Sequence, residues 1–189
     1  MYSKKAQFDV QIDVKEDVNS PIKCDGKSVK VNSSGIDIIE FLISPNIGER
    51  LKPLANIASG GEISRVMLAI KTILAQVDEI PTLIFDEIDT GIGGKIGQQV
   101  GAKLKHISNS RQVICITHLP QIAVYALNHL YVEKKVIGNK TQTQVSKLDR
   151  VSRIKELALL LDGHEVTTTS LKHAEELLEK VKGDRVTKE

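Results

Sequence analysis

The chain has 189 residues, of which 41% are apolar and 26% charged, the composition of an ordinary globular protein. Its core has to be aliphatic, because aromatics make up only 3%. A formal net charge of +2 neither demands nor excludes a polyanionic partner, since binding faces are local, and no long run of like charge marks a basic arm.

The first segment alternates, with Phe8, Val10 and Ile12 on one face and Asp9, Gln11 and Asp13 on the other. That pattern predicts a half-buried strand. Val29 and Val31 suggest a second short strand, and Ile36–Ser44 a longer, better buried one; Asp25-Gly26 and Ser33-Ser34-Gly35 read as turns between them. An antiparallel meander is therefore expected to open the chain. Pro45–Ile57 has no clear period and reads as a loop.

From Ile63 the apolar residues fall at three- and four-residue spacings through Val66, Met67, Ile70, Ile73, Leu74 and Val77, one continuous helical stripe. Thr82–Phe85 is a short apolar strand, Lys95–Ser108 is helical by composition, and Gln112–Thr117 is another apolar strand. Strand, helix, strand in that order predicts a parallel α/β sheet. Leu130–Val136 and Thr141–Leu148 flank Gly138-Asn139, a hairpin signal. Two helices are expected to follow, near Arg150–Leu161 and Thr169–Val181, broken by Asp162-Gly163, with a polar, frayed end at Gly183–Glu189.

Cys24 and Cys115 lie far apart without CxxC spacing, which argues against a zinc site or a disulfide framework. Cys115, inside an apolar run, reads as a small buried residue. No apolar stretch reaches the roughly 18 residues of a membrane span, and Met1–Val10 has no signal-peptide core. A cytoplasmic protein is expected.

Four short segments carry candidate chemistry. Ser59-Gly60-Gly61-Glu62 precedes the amphipathic helix. It reads as a capping box, and equally as a phosphate cradle, because two glycines bare the backbone where the helix N–H groups and dipole favour an anion. Thr82–Phe85 runs into Asp86 and Glu87. Adjacent acids on a strand point in different directions, so one can hold Mg²⁺ while the other positions water; acids that simply end a strand in solvent give the same pattern. The glycine-rich Ile88–Gly94 follows, with Asp89 as a capping or contact residue. Thr117-His118 ends the next strand, where open α/β sheets place their ligands, although a lone histidine is more often structural.

In that order these segments resemble the C-terminal half of an ABC-type ATPase head. The resemblance implies that Ser59, Gly60, Gly61 and Glu62 are the signature contacting the γ-phosphate of ATP held by an opposing head. It implies that Asp86 is the Walker B magnesium residue, Glu87 the catalytic glutamate, Asp89 the D-loop aspartate at the dimer interface and His118 the switch histidine. Glu62 replaces the glutamine usual in transporters. The longer strings LKPLANIASGGEISRVMLAIK, FDEIDTGIGG and ITHLPQIA resemble the RecN family, relatives of the SMC proteins.

No G-x-x-x-x-G-K-[ST] phosphate loop occurs, and neither Gly26-Lys27 nor Gly94-Lys95 stands in that frame. In this family that loop lies in an N-terminal lobe across a long antiparallel coiled coil. The resemblance therefore implies a C-terminal piece beginning after the coiled coil and inactive alone. Its fold is expected to be α/β, the C-terminal lobe of a P-loop ATPase head: a parallel sheet flanked by helices, with additional antiparallel strands. Residues 1–130 would carry the head motifs, and residues 131–189 a hairpin and helices packed on the same head. The implied cofactors are ATP and Mg²⁺. The implied partners are a second head, the chain's own N-terminal lobe and coiled coil, and DNA, with a nucleoid-associated cytoplasmic location and a role in double-strand break repair. A transporter nucleotide-binding subunit and a non-catalytic interaction module are the competing expectations.

Overall fold

A computed structural model describes residues 6–44, 48–56, 59–74, 79–138 and 140–183. The chain divides into two compact units, Met1–Ser59 and Gly60–Glu189.

In the first unit β1 (Gln7–Val14) pairs antiparallel with β4 (Asp37–Ser44), from Gln7 opposite Ser44 to Val14 opposite Asp37. Between them in sequence, β2 (Lys23–Cys24) and β3 (Lys27–Ser28) form a separate hairpin. Asp25 and Gly26 both take left-handed φ, 49° and 81°. Two such residues in a two-residue loop match the right-handed twist of the flanking strands. Gly26-Lys27 is thus part of a hairpin turn and leads into no helix. The expected strand at Val29–Val31 reduces to a single bridge between Glu16 and Val29, although Val29 is buried.

Two expectations for this sheet are corrected. The alternation of β1 and the apolar run of β4 predict burial, yet Phe8, Ile12 and Ile39 are 54%, 62% and 59% exposed. Phe8 stacks on Phe41, ring centroids 5.8 Å apart, but no described element of the unit covers that face. The stretch expected to be a loop holds β5 (Lys52–Pro53), paired with Leu42 and Ile43 of β4, and a 3-10 turn at Leu54–Asn56. A proline is tolerated there because β5 is an edge strand. Residues 45–47 and 57 of that stretch lie outside the described residues.

The second unit opens with α1 (Gly60–Ile73), followed by β6 (Thr82–Phe85), α2 (Gly94–Ile107) and β7 (Gln112–Cys115). β6 and β7 pair in parallel, Thr82 opposite Gln112 through Phe85 opposite Cys115, as strand–helix–strand order predicts. Leu83 and Phe85 point into a core shared with Leu68 of α1 and with Val100, Leu104 and Ile107 of α2. The opposite face presents Ile84, Ile114 and Ile116 to solvent. Parallel sheets are normally covered on both faces; among the described residues this one is covered on one.

Helix α1 shows the same imbalance. Its predicted stripe is mostly open, with Ile63, Met67 and Ile73 exposed, while the buried residues are Gly61 and Leu68 on another face. Val77 lies outside the described residues. β7 stops at Cys115 rather than Thr117, and the chain turns there into α3 (Pro120–Ala123), which starts on a proline suited to a first helical position. Cys115 is half-buried, and burial, then Asp89 and Asp86, push its thiol up to about 12.

The tail matches expectation closely. β8 (Leu130–Ile137) and β9 (Lys140–Lys147) form an antiparallel hairpin with Gly138 at φ 63°; Asn139 lies outside the described residues. α4 (Arg150–Asp162) is capped by Asp149, whose side chain accepts the Ser152 N–H at 2.7 Å, and ends on Gly163 at φ 85°. That hydrogen bond holds the exposed Asp149 carboxyl below the usual carboxylate range. At the start of α5 (Thr168–Gly183) the Ser170 N–H donates to Thr167 Oγ1 at 3.0 Å and the Ser170 hydroxyl to the Thr167 carbonyl at 3.1 Å. Leu157 and Ala158 of α4 and Ala174 and Leu178 of α5 pack on Ala123 and Val124 at the end of α3, so the tail helices are built onto the motif-bearing unit. Arg153 ties the join by donating to the carbonyls of Ala123 at 3.2 Å and Val124 at 2.9 Å. Residues 184–189 lie outside the described residues.

Moving an aliphatic side chain out of water contributes about 1.5–3 kcal/mol. Three isoleucines open on one sheet face and an uncovered β1–β4 face make self-association the expected behaviour of this chain alone. Sedimentation should show mass rising with concentration, and a monomer across the micromolar range would count against it.

Candidate active site

β6 delivers Asp86 and Glu87 to its carboxyl end, both exposed. Asp86 Oδ1 accepts the N–H of Glu87 at 2.8 Å, which turns the chain sharply after the strand. Glu87 takes φ 55°, a conformation that costs a non-glycine residue about 1–3 kcal/mol and is kept only where the surroundings enforce it.

Those surroundings are donors from α1. The Ser64 hydroxyl donates to the Asp86 carbonyl at 2.8 Å. Arg65 Nη1 donates to the carbonyls of Ile88 at 3.2 Å and Thr90 at 2.8 Å. Ile88, fully buried, anchors the loop from below. The Thr90 N–H returns to the Glu87 carbonyl at 3.0 Å, closing the turn.

The glycines at the start of α1 lie against this loop. A Cβ on Gly60 would run into the Glu87 carboxylate. A Cβ on Gly61 would sit 2.7 Å from the Glu87 carbonyl oxygen and 3.0 Å from the Thr90 side chain. The bare backbone is thus required for close approach, and an anion, the Glu87 carboxylate, already rests at the positive end of the helix. Glu62 stands exposed in the same first turn. Ser59 is the last residue of the first unit, half-buried and adjoining Gly60 in the chain.

Asp89 turns the other way. It is 4% exposed, and its Oδ2 accepts the Thr117 hydroxyl at 2.6 Å and the His118 N–H at 2.8 Å, with His118 Nδ1 at 3.0 Å. Burial works to raise its pKa, but the Thr117 hydroxyl, the His118 N–H and the imidazole together outweigh it and hold the carboxyl below its ordinary value. The His118 side chain itself is 73% exposed.

The structure therefore gathers Gly60, Gly61, Asp86, Glu87, Asp89 and His118 around two turns at the carboxyl ends of β6 and β7. Ser64, Arg65 and Thr117, which hold those turns, are not singled out by the sequence. Ser64 and Arg65 lie on the face of α1 opposite its apolar stripe, where sequence periodicity gives no signal, and Thr117 is marked only by its place beside a strand-end histidine.

No protein-family model matches the chain. The DNA repair protein RecN of Bacillus subtilis (strain 168) is 41% identical over 181 residues, spanning 94% of this chain and 31% of that protein. The chain belongs to the RecN family. The RecN protein of Treponema pallidum (strain Nichols) is 52% identical over 144 residues, which are 76% of this chain and 25% of that one. The chain spans about a third of the length of the curated RecN relatives it matches.

A crystal structure of an Smc head domain with a coiled coil and joint from Pyrococcus yayanosii aligns with TM-score 0.53 and 18% identity, over 82% of this chain and 26% of that chain. The α/β fold of this RecN-family chain is accordingly that of part of an SMC head. No helix among the described residues is long and apolar enough to cross a membrane.

The residues present fit a cation shared with phosphates rather than one held by the protein alone. Among the described residues no three His, Cys, Asp or Glu side chains gather to hold a metal by themselves. Mg²⁺ is usually held by one or two carboxylates with substrate phosphates and water, which suits the solitary, exposed Asp86 at its strand end.

Proposed function

We propose that this chain is the C-terminal lobe of a RecN-like ATPase head that works in DNA double-strand break repair. Joined to an N-terminal lobe carrying the phosphate loop and the coiled coil, it would complete an ATP site, and ATP would be held between two such heads. The carrying observation is the turn at Asp86 and Glu87, which sets two carboxylates at one strand end, aims them differently and packs that of Glu87 against the bare end of α1.

Each residue then has a task. Asp86 holds the Mg²⁺, which when bound neutralises charge developing on the transferred phosphoryl group. Glu87 orients the attacking water and takes up its proton. His118 meets the terminal phosphate from the neighbouring strand end. Ser59, Gly60, Gly61 and Glu62 supply the N-terminus of α1 to the γ-phosphate of the ATP held by the opposing head. Residues 131–189 are an appendage of the same head, and the site of action is the nucleoid in the cytoplasm. The RecN relatives favour this over a transporter subunit.

Phosphate release from ATP by this chain joined to the N-terminal lobe is the test. Turnover that needs both lobes supports a split site. Absence of turnover from a folded, associated pair would leave the chain an interaction module.

A further inference from the structure

We infer that Asp89 and Thr117 are positioning residues that fix the His118 ring through its Nδ1 and so present Nε2 to a phosphate or water. The inference rests on the proposed ATPase role only for what Nε2 meets; the positioning stands on geometry.

An ionised carboxylate accepts and does not donate. Nδ1 of His118 lies 3.0 Å from Asp89 Oδ2, so a ring that carries its proton on Nδ1 is attracted to the carboxylate there, and a ring with a lone pair on Nδ1 is repelled. The same oxygen takes the His118 backbone N–H at 2.8 Å, which holds the residue at both its main chain and its ring. Thr117 completes the clamp. Its hydroxyl donates to Asp89 at 2.6 Å, and its oxygen accepts the Leu119 N–H at 3.0 Å, so it has one orientation.

Asp89 is buried by its own chain, and its Oδ2 takes two hydrogen bonds, from the Thr117 hydroxyl and the His118 N–H, with the ring nitrogen Nδ1 of His118 3.0 Å away. The resemblance to ABC heads places this aspartate at the surface between two heads; the geometry points to a role inside one. The imidazole, by contrast, is largely open, with Nδ1 as its inward atom. A nitrogen held this way fixes which tautomer is present and which nitrogen works.

The test is the nitrogen NMR signature of His118 in the labelled 189-residue chain, at a pH where the ring is neutral. The expected result is the Nδ1–H tautomer, moving towards the mixture of free imidazole in Asp89→Asn and in Thr117→Val, and restored in Thr117→Ser. An Nε2–H ring in the unaltered chain, or a tautomer indifferent to Asp89→Asn in a folded protein, overturns the inference. If Asp89→Asn fails to fold, the tautomer of the unaltered chain and the Thr117 pair still decide. In the complete head, Asp89→Asn is expected to lower kcat about 10- to 100-fold with little change in KM for ATP, the scale on which orienting partners act. The expected tautomer in a complete head that hydrolyses no ATP would sink the ATPase reading and keep the positioning; the wrong tautomer in an active head would do the reverse.

Discussion

Replacing Glu87 by Gln in the complete head is expected to reduce ATP turnover by about 10²- to 10⁴-fold, the range that a positioned general base contributes, while ATP still binds. The substitution is nearly isosteric. It keeps the backbone at φ 55° and disturbs none of the bonds that hold the turn: Ser64 to the Asp86 carbonyl, Arg65 to the carbonyls of Ile88 and Thr90, and the Glu87 N–H to the Asp86 carboxylate. What changes is the charge at the end of α1, worth about 0.3–1 kcal/mol at an exposed helix end. That is too little to unfold the unit, so lost turnover would report chemistry. Phosphate release and nucleotide titration on the same preparation make the measurement. Wild-type turnover would remove Glu87 from the catalytic role and leave its unusual backbone without a use.

The elements with their own start and stop signals were legible in the sequence. α4 and α5 appear where the periodicity and the Asp162-Gly163 break place them, because Asp149 caps one end, Gly163 the other, and Thr167 with Ser170 begin the next. β6 and β7 were legible as apolar runs flanking a helix. What failed was burial. Alternation in β1 and the stripe on α1 say that a face is apolar, and they say nothing about whether this chain supplies its cover. Phe8, Ile39, Ile84 and Ile73 are all apolar and all exposed. β5 was missed because it consists of two residues, one of them a proline, recruited by the free edge of β4.

The candidate site was legible as an ordered set of motifs, and the structure gives their placement rather than a mechanism. Asp86, Glu87 and His118 stand at strand ends, as the pattern of an open α/β sheet predicts. The direction in which each points was not readable. The positive φ of Glu87 depends on Ser64 and Arg65, more than 20 residues upstream, and the inward turn of Asp89 depends on Thr117, 28 residues downstream. Such contacts arise only once α1, β6 and β7 are packed together. They leave no local spacing to read.

The same packing decides what Gly61 tolerates. Alanine is favoured over glycine within a helix by about 1 kcal/mol, so Gly61→Ala in α1 would stabilise the chain if space allowed. Space does not allow it. The new methyl would meet the Glu87 carbonyl oxygen at 2.7 Å, with Arg65 Nη1 and the Thr90 side chain both at 3.0 Å. The obstacle is backbone, and that backbone is pinned on both sides by Ser64 and Arg65. Overpacking of this kind costs about 1–3 kcal/mol, which exceeds the propensity gain in most of its range. Gly61→Ala is therefore expected to lower Tm, by about 2–4 °C for each net kcal/mol lost in a domain of this size, and to cut turnover of the complete head by shifting Glu87. Gly60→Ala separates the two effects. Its methyl would meet only the end of the flexible Glu87 side chain, which can swing away, so stability should hold while turnover falls. Thermal unfolding of both variants beside phosphate release reads the difference. Equal stability of Gly61→Ala and the unaltered chain would mean that the turn gives way freely, and the account of Glu87 as a residue held in place by α1 would go with it.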